Sequence, residues 1–194
     1  MDLWMWIVIA VIAVAAIAVT AWAVARARRT ETLRDTFGPE YDRALTDEGG
    51  RHAGESELRA RVERHDELDL RPLSPVAAER YTNEWRFVQS RFVDTPDGAL
   101  SQADALITGV MRDRGYPMDE FDQRAADLSV DHPEVVEDYR VAHELSLAND
   151  RGDATTEDLR QAMVHYRSLF ERLVEVDGTT MLRPQDESRS TSYR

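Results

Sequence analysis

The chain has 194 residues, a formal charge of −13 and no cysteine, and all 24 of its basic residues are arginine. Without cysteine there are no disulfides, thiol nucleophiles, thiolate metal sites or Cys-linked lipids. The acidic surplus opposes nucleic acid, whose recognition begins with a basic face, and the length allows one domain with appendages.

Residues 1–29 read as a membrane anchor. Between Leu3 and Ala25 there is no charge, and Thr20 is the only polar side chain. A helix of 23 residues rises about 34 Å, enough to cross a hydrocarbon core of about 30 Å. Trp4 and Trp6 stand near one end and Trp22 near the other, as an aromatic belt requires. A cleaved signal is the alternative, because triplets such as Ala23-Val24-Ala25 suit a peptidase. Only Asp2 precedes the run, however, and a signal's apolar region is usually about 7–15 residues. Arg26, Arg28, Arg29 and Arg34 follow the apolar run and no basic residue precedes it. The positive-inside rule therefore puts the N-terminus outside and the C-terminal part in the cytoplasm. There the arginines face anionic headgroups at about 1 kcal/mol each.

Residues 30–54 mix Gly, Pro and charge without a sustained apolar period and read as a flexible spacer, with a short helix possible near Tyr41–Leu45. From Glu55 onward helical patterns dominate. Leu58, Val62 and Leu68 share one side of a mostly polar helix, expected on the outside of its domain and ended by Pro72. Ser74-Pro75 supplies an N-cap and a first-turn proline. Tyr81, Trp85, Val88 and Phe92 then recur at i, i+4, i+7 and i+11. After the turn at Thr95–Gly98 come Leu100, Ala103, Leu106, Ile107, Val110 and Met111, closed by Gly115. A short helix is expected from Pro117, bearing Met118, Phe121, Ala125 and Leu128. Another follows the break at Asp131-His132-Pro133, with Val135, Tyr139, Ala142 and Leu145 inward. Thr155 and Asp158 form a capping-box variant before the clearest period of all, Leu159, Met163, Tyr166, Phe170 and Leu173. Residues 55–178 are thus expected to be an all-α bundle of five or six helices, and residues 179–194 a disordered tail.

The run Tyr116–Leu145, the phrase Thr156–Phe170 and the earlier stretch Leu70–Pro96 resemble a group of bacterial helical proteins without assigned activity. Many of these carry an N-terminal membrane segment. The likeness covers most of residues 55–176. It implies a bacterial origin and a helical domain, and it transfers no activity and no site residues.

Catalytic motifs are absent. No histidine among His52, His65, His132, His143 and His165 has a glutamate three positions before it, and H-E-x-x-H does not occur. There is no nucleophile elbow, no S-x-x-K and no glycine-rich phosphate loop. The segment from Asn149 fails as a calcium loop, with Ala154 at the sixth position and Arg160 at the twelfth. The acids Asp131, Glu134, Glu137 and Asp138 suit a helix start rather than acid–base work. No cofactor or metal is expected.

The anchor, spacer and acidic domain without catalytic motifs point to a single-pass, non-enzymatic interaction or scaffold module at the plasma membrane, a bacterial one as the resemblance implies. Its partners are the lipid bilayer and a further protein, not nucleic acid. Two alternatives remain at this stage. One is a small-ligand sensor or enzyme with a pocket built from Tyr81, Trp85, Tyr139 and Tyr166, and the other is a structural protein of the cell envelope.

Overall fold

Helix-forming residues punctuated by Gly-Pro and Gly-Gly breaks give eight helices, and no strand, among residues 3–175, which this computed structural model describes. For residues 3, 5–13, 15, 22, 25 and 29 it describes the backbone alone. The tail expected over 179–194 lies outside the described residues.

Helix α1 (Leu3–Phe37) runs 35 residues without a break. Gly38, with φ +48°, ends it, and Pro39 opens α2 (Pro39–Asp47) at a position where the missing N–H costs nothing. Helix α3 (Arg51–Asp66) follows Gly49 and Gly50. The sequence predicts an irregular spacer over 30–54, whereas most of these residues are helical and several are buried. Leu33, Phe37, Tyr41, Ala44 and Leu58 form a core, with Leu45, Val62 and Val130 packed against it. The helix placed on the outside by its polarity carries Leu58, which has no solvent exposure at all. It ends at Asp66 rather than at Pro72. Gly54 sits where α3 meets α2: a Cβ on it would lie 2.8 Å from the Leu45 Cα.

The remaining helices are α4 (Pro75–Arg91), α5 (Pro96–Asp113), α6 (Phe121–Asp131), α7 (Val136–Asp150) and α8 (Thr156–Val174). Helix α6 starts at Phe121, four residues later than the Pro117 start the sequence suggests. The chain divides into two compact units in place of the single core expected over 55–178. One comprises Met1–Glu67 with Ala125–Glu134, and the other Leu68–Arg124 with Val135–Arg194, so the boundary falls within α6.

In the second unit α5 and α8 pack on each other, with α4 and α7 against both. The expected stripes are the buried faces: Tyr81, Trp85 and Val88 on α4, and Leu159, Met163, Tyr166, Phe170 and Leu173 on α8. Trp85 stacks on Phe170 with ring centroids 4.7 Å apart. The Ser74 side chain accepts from the Ala77 N–H at 3.2 Å, and Thr155 and Asp158 close a reciprocal capping box at 2.8 and 3.2 Å. Gly115, at φ +94°, takes the left-handed conformation that closes α5.

Candidate functional site

Of the expected anchor side chains, Trp4 is 74% exposed, and Arg26 and Arg28 are exposed as well. The side chains of Trp6, Trp22 and Arg29 lie outside the described residues. Among the described residues no helix is long and apolar enough to cross a membrane, so the expected transmembrane span is not shown. The uncharged run Leu3–Ala25 remains a property of the sequence.

Where α1 leaves that run, it enters a polar knot of the first unit. Thr30, Leu33 and Phe37 share a face of α1, as Glu55, Leu58 and Val62 share a face of α3, by the i, i+3, i+7 spacing. The two polar members of these stripes meet inside. The Thr30 hydroxyl donates to Glu55 Oε1 at 3.0 Å, Tyr41 donates to the same oxygen at 3.0 Å, and Arg51 Nε does so at 2.8 Å. Arg59 donates to Oε2 at 3.2 Å, and a second N–H of Arg51 reaches Thr30 Oγ1 at 3.0 Å. Glu55 is almost wholly buried, its side chain 3% exposed. Burial alone would raise its carboxyl. The hydrogen bonds from Arg51, Tyr41 and Thr30, with the Arg51 charge, outweigh that and hold it at about 2. Nearby, Arg61 joins Glu57 of its own helix and the buried Glu40 of α2, each at 3.1 Å, a second tie between α2 and α3 after Tyr41–Glu55.

The four aromatics singled out from the sequence are buried and do not converge. On α4, Tyr81 donates to Asp113 at 2.8 Å and lies against Gly109 of α5, while Trp85 belongs to the stack with Phe170. Burial, then Asp113, raises the Tyr81 phenol. Tyr139 and Tyr166 belong to a second polar knot. Tyr166 donates to Asp104 at 2.7 Å, and Tyr139 accepts from Arg124 Nε at 3.2 Å while its ring packs on Phe121. His143 stacks on Phe121 with centroids 3.7 Å apart. Burial pushes the Tyr166 phenol well above its usual range, with the Asp104 charge adding to it. Burial also raises Tyr139, against the opposing Arg124. Burial lowers His143, against Asp104.

The sequence reading missed Thr30, Glu55, Asp104 and Arg124, and found no role for His143. A signal existed for two of them. Asp104 occupies the i+4 step of the stripe Leu100, Ile107 and Met111, and Glu55 precedes Leu58 by three. A carboxylate on an apolar stripe is either exposed by a helix end or paired inside. Here both are paired.

The acids Asp131, Glu134, Glu137 and Asp138 do not act together. They lie beside His65 at 2.7 Å, His132 at 3.9 Å, Arg140 at 3.6 Å and His165 at 2.7 Å respectively. Among the described residues no group of three His, Cys, Asp or Glu side chains is placed to hold a metal ion. Two surface depressions, one lined by Gln89, Phe92, Arg160, Met163, Val164 and Arg167 and one along α1 from Ala16 to Arg28, include none of the four aromatics.

No family model, curated protein or solved structure matches the chain. What it does must therefore be argued from its own residues. In both knots the carboxylates accept from side chains of the chain itself. Such an arrangement fastens helices together.

Proposed function

We propose that the chain is a single-pass, membrane-anchored helical protein that presents two helical units to another protein at the membrane surface. The observation that carries this reading is the uncharged run Leu3–Ala25 followed at once by Arg26, Arg28 and Arg29. Such a run is long enough for a bilayer core, and the arginines set its orientation, with the N-terminus outside and the helical units in the cytoplasm. The unbroken course of α1 from Leu3 into the core residues Leu33 and Phe37 supports it too, because the anchor and the first unit then share one helix. The partner is proposed as a protein on account of the exposed apolar side chains of the second unit. Phe87 is 60% and Val93 85% exposed. The pocket alternative has no such support, since its four rings are packed.

The absence of cysteine makes the test direct. A single Ser101→Cys variant, on an exposed turn of α5, should resist a membrane-impermeant maleimide in intact cells and label after permeabilisation. Labelling in intact cells would overturn the orientation. A photo-crosslinking residue at position 87 should give one discrete adduct that is absent when it stands at 101, and equal patterns at both would overturn the partner surface.

A further inference from the structure

We propose that the foot of α1 and the first turn of α3 form a binding site for the phosphate of an anionic phospholipid headgroup, with Arg51 at its centre. The inference rests on the anchor reading and adds a residue that the juxtamembrane sequence does not contain.

Arg26 and Thr30 are four residues apart, so they share a face of α1 about 6 Å apart along its axis. Arg51 comes from another helix, yet its guanidinium donates to Thr30 Oγ1 at 3.0 Å. The fold therefore carries Arg51 to the level of α1 just below Arg26, about 7.5 Å along the axis from the end of the uncharged run at Ala25. Of the five N–H donors of a guanidinium, Arg51 uses one on Thr30 and one on Glu55, and Tyr41 is a further partner. Its side chain is 56% exposed, and that of Arg59 is 43% exposed. Both hold the same carboxylate, so two cations share one buried anion. Asp47, four residues before Arg51, is paired with Arg43 at 3.4 Å.

A planar fork with spare donors matches the paired oxygens of a phosphate, and an arginine is the residue suited to that geometry. These two arginines give an anionic surface something to hold in a chain whose net charge of −13 otherwise opposes it. The lipid is favoured over free phosphate by the level of the site, since the arginines that follow a membrane run lie among headgroups.

The full chain should be reconstituted into vesicles of phosphatidylcholine with a minority of phosphatidylglycerol, then released and its retained lipids weighed by mass spectrometry. Phosphatidylglycerol should be enriched over the bulk, and Arg51→Gln should reduce that enrichment by about five-fold. Arg51→Lys should keep part of it, and Arg112→Gln on α5 all of it. Circular dichroism checks that Arg51→Gln is folded. Arg26→Gln, on the exposed side of α1, gives a second reading and should also lower the enrichment. An Arg51→Gln chain that is folded and as enriched as the wild type would overturn the site, as would a wild type without preference. Displacement of the lipid by dilute inorganic phosphate would overturn the assignment to a headgroup. Flotation with pure phosphatidylcholine vesicles reads the anchor alone. Flotation without lipid preference removes the site and leaves the anchor, whereas failure to float removes both.

Discussion

Thr30 on α1 and Glu55 on α3 meet at 3.0 Å with both side chains buried, 25 residues apart in the chain. This contact ties the end of the uncharged helix to the first unit, and four further hydrogen bonds from Tyr41, Arg51 and Arg59 complete it. Glu55→Ala leaves the Tyr41 and Thr30 hydroxyls without their acceptor and should cost about 2–3 kcal/mol. The same pairing predicts an acid limb. A carboxyl held at about 2 when folded and near 4.5 when unfolded stabilises the fold above about 4.5, and that stability is lost as pH falls towards 2. Melting of the full chain in detergent across this window should show the loss, and Glu55→Gln should flatten it.

Gly54→Ala tests the crossing of α2 and α3. By helix propensity alone alanine would gain up to about 1 kcal/mol in the first turns of α3. Its Cβ would meet Leu45 Cα at 2.8 Å and the Ala44 carbonyl at 3.0 Å, both backbone atoms that cannot swing aside. The clash should win, with a net loss of about 1–3 kcal/mol. A rise in melting temperature would refute the close approach.

In the second unit, Tyr166→Phe removes the donor that Asp104 accepts from at 2.7 Å and should destabilise by about 1–3 kcal/mol. A double-mutant cycle with Asp104→Ala should return a coupling of about 1–2 kcal/mol. Because burial and Asp104 raise the Tyr166 phenol, its contribution is present below pH of about 10 and lost at higher pH. Tyr166→Phe should shrink that alkaline limb, with Tyr81 and Tyr139 keeping their share.

His143 provides a pH test nearer neutrality. Burial lowers its folded pKa below the ordinary 6.5, with Asp104, Asp122 and Glu144 opposing and Arg124 assisting. The unfolded chain then takes up the proton first as pH falls through 6.5. Stability should therefore drop on the acid side of 6.5 and level off above it. Resonances of the His143 ring should titrate below 6.5 in the folded chain, and a midpoint above 6.5 would contradict the packing on Phe121.

The bundle of the second unit is legible because each helix hides one face for several turns. Tyr166 and Phe170 keep the helical period that marks them as core. The core over 30–54 is not legible in the same way. Leu33 and Phe37 end one helix, and Tyr41 and Ala44 belong to another after the Gly38-Pro39 break, so no single window holds a period. Thr30 and Glu55 also put polar atoms on their stripes, which makes buried faces look solvated. Arg51 is the extreme case: a charged residue beside two glycines gives no sign that its partner is Glu55 and its neighbour Thr30. Its position follows only from the turn that reverses α2 onto α3.

Alkaline carbonate extraction of the full, unprocessed chain, with its mass verified, tests the anchor most directly. The wild type should remain in the membrane pellet. Val14→Arg with Ile17→Arg, placing two charges near the middle of the run at about 2.5–3.5 kcal/mol each, should release it to the supernatant. Wild-type chain of full mass found in the supernatant would contradict the account.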